Sequence, residues 1–154
     1  MSAEPCFVDT NVLVYARDAS EPVKQPRARA WLDALWSART GRISAQVLSE
    51  FYVTVTRKLD PGMTPDAARA DVRDLAAWHP APIDPATLER AFELEDRFQL
   101  SWWDALIVAS AQLQGCRVLL SEDLQRGQRF DDVEVVDPFA TEPPGTSGPR
   151  DALR

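Results

Sequence analysis

Three short apolar runs stand out along the chain: "CFVD" at 6–9, "RVLLS" at 117–121 and "VEVVD" at 133–137. Each is too short for a helix and rich in β-forming residues, so each predicts a buried strand. Elsewhere the apolar spacing is helical. The stretch "QPRARAWLDALWSA" (25–38) puts Ala28, Trp31, Leu32, Leu35 and Trp36 on one side, predicting an amphipathic helix with a wide aromatic face. After Gly41 a short β-like piece leads to Ser44, a helix cap, and Val47, Leu48, Phe51 and Val55 then share a face with Glu50 on or beside it. Thr64-Pro65 and Asp84-Pro85 each set a capping residue before a proline suited to the first helical position. "SWWDALIVASAQLQG" is apolar almost all the way round and stops at Gly115, as a buried helix does. Strands alternating with helices indicate an α/β fold, a parallel sheet with helices on both faces.

The first run continues as "CFVDTNVLVYA", where a strand should pass into a helix after Asn11, with Asp9, Thr10 and Asn11 at the joint. An isolated buried charge costs several kcal/mol, so Asp9 requires a partner, a hydrogen-bond network or a metal ion. In an open parallel sheet ligands bind beyond the carboxyl ends of the strands. Asp9 ends the first strand and Asp123 follows the 117–121 strand, so neighbouring strands would place both acids in one crevice.

Asp104 has two readings. Ser101 with Asp104 three residues on forms a capping box. Yet Asp104 also lies three, four and seven residues before Ile107, Val108 and Ala111, so it projects along a buried stripe. Glu50 is a further candidate, whereas Glu122 should point away from Asp123 into solvent, and the acids of "ELED" (93–96) form an exposed helical face. Carboxylates gathered at one place repel one another unless a divalent cation joins them. Oxygen ligands suit Mg2+ or Mn2+, and such a site can activate water against a phosphodiester.

The bulk numbers fit this picture. A chain of 154 residues with 45% hydrophobic and 27% charged residues is one ordinary globular domain. A net charge of −7 argues against broad non-specific binding to nucleic acid, but acids gathered in one site would account for much of it. No apolar run is long enough for a membrane span and no signal segment opens the chain, so a cytoplasmic location is expected. Cys6 and Cys116 lack paired or zinc-ligand spacing and are expected as buried thiols; His79, the single histidine, sits in a loop. From Thr141 onward the composition turns to Pro, Gly, Ser and Thr without periodicity, which predicts a disordered tail over 141–154.

Four segments, "FVDTNVLVYA", "SAQVLSEFYVTVTRK", "SWWDALIVASA" and "LLSEDLQRGQRF", resemble in order and spacing the PIN-domain ribonucleases, and among them the VapC-type toxins of bacterial toxin–antitoxin pairs. The resemblance runs from about residue 6 to 139. It implies a three-layer PIN-like domain over residues 1–140 with a central parallel sheet of about four or five strands and helices on both faces. It implies a Mg2+- or Mn2+-dependent endoribonuclease whose acidic metal site is Asp9, Glu50, Asp104 and Asp123, supported by Thr10, Asn11 and Ser121. It also implies an RNA substrate, a homodimer and inhibition by a cognate antitoxin. Trp102 stands where the family often has tyrosine.

Three other readings compete with that one. A phosphatase using Asp9 as nucleophile would usually carry a second aspartate two residues on, where this chain has Asn11. A receiver-type phosphate-accepting module would show an adjacent acidic pair at the end of the first strand, which is absent. A non-catalytic interaction module on the same fold is the third. The excess of acid and the width of the apolar face in "ARAWLDALW" suggest a homodimer that can also bind a small partner peptide.

Overall fold

The computed structural model describes residues 4–145. At its centre β1 (Cys6–Val8), fully enclosed by apolar side chains, pairs in parallel with β2 (Gly41–Arg42) on one side and β3 (Val118–Leu120) on the other. β3 pairs in parallel with β5 (Val133–Val136), and β4 (Arg129–Phe130) closes the edge antiparallel to β5. The sheet order is β2-β1-β3-β5-β4. The expected parallel sheet is present, with one antiparallel edge strand that the apolar pattern does not reveal.

The helices are α1 (Thr10–Tyr15), α2 (Lys24–Ala38), α3 (Ala45–Arg57), α4 (Pro65–Leu75), α5 (Pro85–Phe98) and α6 (Trp102–Leu113). The four helix starts read from the sequence hold: the side chains of Ser44, Thr64, Asp84 and Ser101 accept from the backbone N–H of Val47, Ala67, Thr87 and Asp104. These bonds satisfy N–H groups that a helix start leaves unpaired. α1 and α3 pack together, with α2 and α4 against them, while α5 and α6 pair and α6 lies on β3 and β5. Residues Ala105 to Ala111 of α6 are all buried, as its apolar circumference requires.

The face of α2 is divided. Trp31 is buried and its indole Nε1 donates to the carbonyls of Pro138 and Thr141, each at 3.0 Å, whereas Trp36, expected on the same face, is 47% exposed and rests against Trp78. The segment expected as a tail is therefore anchored where it begins. Arg27 of α2 binds Glu142 at 2.7 Å and Pro143 is buried. Residues 146–154 of that segment lie outside the described residues. Cys6 and Cys116 are free and buried, and no helix among the described residues is long and apolar enough to cross a membrane.

Candidate active site

Because β1 and β3 are parallel neighbours in the register Val8 to Leu120, the residues after each strand emerge side by side. The backbone N–H of Asp9 donates to the Leu120 carbonyl at 2.9 Å, which carries the pairing one residue past the strand. Asp9 then caps α1: its backbone is extended and its Oδ1 accepts from the Thr10 N–H at 2.7 Å. The strand ends at Val8, one residue earlier than the sequence suggested, and the helix begins at Thr10, two residues earlier.

Asp9 is only 7% exposed and both its oxygens are engaged. The wholly buried hydroxyl of Ser121 donates to Asp9 Oδ2 at 2.7 Å. The same hydroxyl oxygen accepts from the backbone N–H groups of Asp123 and Leu124, at 3.2 and 3.3 Å, turning the chain after β3. Asn11 completes the arrangement. Its Oδ1 accepts from the Glu122 N–H at 3.2 Å, which leaves the Nδ2 group facing the acids, 3.3 Å from Asp9 Oδ2 and 3.1 Å from Asp123 Oδ2. A single neutral amide thus bridges two carboxylates.

Burial raises the Asp9 carboxyl to about 6, against the lowering effect of the Ser121 and Thr10 hydrogen bonds, and the nearby charges of Asp123 and Glu50 push it further up. Glu50 joins through Thr10, whose hydroxyl donates to Glu50 Oε2 at 3.2 Å. The buried Gln46 donates to Glu50 Oε1 at 2.7 Å and to the Trp103 carbonyl at 3.3 Å. Gln46 is a structural link absent from the sequence reading; its spacing of one helical turn from Glu50 is the signal that could have found it.

Asp104 is half-exposed at the start of α6. Its backbone N–H donates to the Ser101 hydroxyl, so Ser101 caps the helix, and among the described residues no hydrogen bond joins the Asp104 carboxylate to the other site residues. The structure therefore brings together Asp9, Asn11, Ser121 and Asp123, attaches Glu50 through Thr10, and reaches Asp104 only through the neighbouring Trp103 carbonyl. No three acidic, histidine or cysteine side chains among the described residues converge tightly enough to hold an ion as they stand. The donor chemistry nonetheless suits a hard divalent cation: Mg2+ is commonly held by one or two carboxylates and retains several waters. Asp9 and Asp123 supply such a pair.

Glu122 departs from expectation. It is only partly exposed: its Oε1 accepts from Lys24 Nζ at 2.6 Å, and its Oε2 is buried with no hydrogen-bond donor among the described residues.

Beside Glu50 an open groove of about 800 Å3 runs along α3. Val53, Ile83 and Trp103 give it apolar walls, Gln46 and Glu50 form the end nearest the acids, and Lys58 contributes a cation. Trp103 is 61% exposed.

Residues 6–135 match the family model described as the PIN domain. The chain belongs to the PIN domain family. Among curated proteins no sequence matches significantly. Among solved structures, a toxin–antitoxin complex from Klebsiella pneumoniae is similar at a TM-score of 0.64 and 22% identity, over 86% of this chain and 97% of that one. VapC20 of Mycobacterium tuberculosis, a sarcin-ricin loop cleaving toxin, aligns at 0.59 and 22% identity, over 77% and 91%. VapBC2 from Rickettsia felis, bound to a DNA fragment from its promoter, aligns at 0.57 and 16% identity, over 84% and 95%. At these identities the likeness is one of fold.

Proposed function

We propose that the protein is a divalent-metal-dependent endoribonuclease that acts as the toxin of a toxin–antitoxin pair. The observation that carries the reading is the buried Asp9, raised to about 6 and tied through Asn11 to Asp123 at the carboxyl ends of two adjacent parallel strands. A carboxyl held at such cost, with no cation hydrogen-bonded to it among the described residues, suits a metal ligand better than a structural acid.

Asp9 and Asp123 would hold Mg2+ or Mn2+, with Glu50 and Asp104 completing the acidic surroundings. The bound ion would supply a water of lowered pKa and neutralise charge at the scissile phosphate. The protein's own groups set the geometry. Ser121 and Thr10 fix the two oxygens of Asp9, and Asn11 aligns Asp9 with Asp123. Gln46 orients Glu50 toward Thr10 and draws the start of α6, hence Asp104, toward the same region. Trp103 and Lys58 offer a ring for an unpaired base and a cation for a phosphate, the contacts that single-stranded RNA uses. The phosphatase reading fits less well, because an enclosed Asp9 whose oxygens both accept hydrogen bonds is badly placed for nucleophilic attack.

An antitoxin protein that covers the acids is the proposed partner, supported by the likeness to chains found in toxin–antitoxin complexes. A homodimer is proposed on the exposed apolar side chains Val23 and Trp36 at and beside α2, away from the groove. The test is RNA cleavage by the purified, partner-free chain. Cleavage should require Mg2+ or Mn2+ and stop with chelator. Equal cleavage in excess chelator removes the metal mechanism, and intact RNA under all metal conditions removes the nuclease reading.

A further inference from the structure

Lys24 is the first residue of α2, where the positive end of the helix dipole disfavours a cation. Val23 before it provides no side-chain cap. The position therefore gains nothing from helix electrostatics, and the ammonium is engaged elsewhere. It sits over two aromatic rings, 4.8 Å from the centroid of Tyr15 and 5.3 Å from that of Phe139, which meet edge to face at 5.1 Å. From there it reaches Glu122 Oε1 at 2.6 Å and the Tyr15 hydroxyl at 3.4 Å.

Glu122 is only partly exposed, and its second oxygen is enclosed with no hydrogen-bond donor among the described residues. A buried unsatisfied oxygen calls for an explanation other than stability. One is at hand in the backbone of the same residue: the Glu122 N–H donates to Asn11 Oδ1 and thereby decides which way the Asn11 amide faces. If that amide turned over, its oxygen would confront Asp9 and Asp123, and two carboxylates would lose a shared donor. The side chain of Glu122 holds the loop, and its backbone holds Asn11.

We propose that Lys24 is a positioning residue for the Asp9–Asp123 pair: caged by Tyr15 and Phe139, it clamps Glu122 and so fixes the Asn11 amide that aligns the two carboxylates. The inference rests on the reading of those acids as the working pair, but its main readout needs neither RNA nor metal. In the full chain with chelator, the side-chain amide protons of Asn11 are followed by NMR for exchange with solvent. Lys24→Met and Glu122→Gln should each speed that exchange, and each should weaken Mn2+ binding measured by calorimetry by about tenfold or more. In RNA cleavage both should lower kcat with little change in KM.

Arg27→Met is the control, since it breaks an ion pair of similar length on the same helix without touching the loop after β3. It should leave Asn11 exchange and Mn2+ affinity as in the parent. If Lys24→Met does not fold, Glu122→Gln, which keeps the shape of the side chain, decides by the same exchange measurement. Parental Asn11 exchange in a folded Lys24→Met or Glu122→Gln variant overturns the proposal, as does an equal disturbance by Arg27→Met. Failure of the parent to cut RNA with the exchange effect present would count against the nuclease reading alone.

Discussion

Asn11 serves two acids at once: its Nδ2 lies 3.3 Å from a carboxylate oxygen of Asp9 and 3.1 Å from one of Asp123. Replacing the donor with a third carboxylate, Asn11→Asp, should lower the metal-free melting temperature, with a cost of about 1 to 3 kcal/mol for the lost bond and added repulsion. Mn2+ should then raise the melting temperature of the variant more than that of the parent, because the cation relieves the larger repulsion. Thermal unfolding with and without Mn2+ checks this; an equal metal response in both proteins would sink it.

The Asp9 carboxyl, raised to about 6 mainly by burial, makes stability depend on pH in a definite direction. Below about pH 4 the carboxyl is protonated in both the folded and unfolded chain, and contributes no penalty. As pH rises from about 4 to about 6 the unfolded chain ionises first, so stability falls, by roughly 2 to 3 kcal/mol in total, and stays lower above that range. Asp9→Asn removes this loss. Denaturant unfolding in chelator should therefore show the variant gaining on the parent between pH 4 and pH 7, and a constant difference across that range would contradict the assignment.

Ser101 and Asp104 divide the roles that a capping box would have shared. The cap uses the Asp104 backbone N–H and the Ser101 hydroxyl, so Ser101→Ala should cost about 1 kcal/mol while Asp104→Asn, which keeps that N–H, stays within about 1 kcal/mol of the parent. The proposed catalytic set requires Asp104→Asn to lose RNA cleavage. Retained cleavage by a stable Asp104→Asn protein would take Asp104 out of the set.

The carboxyl-terminal anchor predicts a sharp difference between two truncations. Ending the chain after Gly145 should leave the melting temperature unchanged. Ending it after Ala140 removes the Thr141 carbonyl from Trp31, the Glu142 partner of Arg27 and the buried Pro143, and should destabilise by about 1 to 3 kcal/mol. Equal melting temperatures for the two would show that residues 141–145 do not support the fold.

The helices and the first, third and fifth strands were legible because their signals are local: a cap, a proline, an apolar period. β4 was not, since two residues carry no alternation; the left-handed backbone at Gly127 and Asp131 (φ 83 and 58) brackets it instead. The acids were legible as types, and expecting adjacent parallel strands put Asp9 and Asp123 in one crevice, where Asn11 contacts both. Asp104 illustrates the limit, because helical spacing gives a direction around the axis and not the distance to an acid on another element. Glu122 was misread for a different reason. Alternation along a strand was extended past Leu120, but β3 stops there, and Ser121 turns the chain by accepting two consecutive N–H groups. Beyond that turn the two-residue period no longer applies.

Ser121 reaches Asp9 across a sequence separation of 112 residues, and β3 must take its place beside β1 before they meet. The loop to be closed is nearly the length of the folded domain, so this contact is entropically among the last to become favourable. On a translating ribosome the amino-terminal half can emerge with α1 to α4 complete and still have no carboxylate pair. The two carboxylates therefore come together only once the chain through β3 and the turn after it has left the exit tunnel.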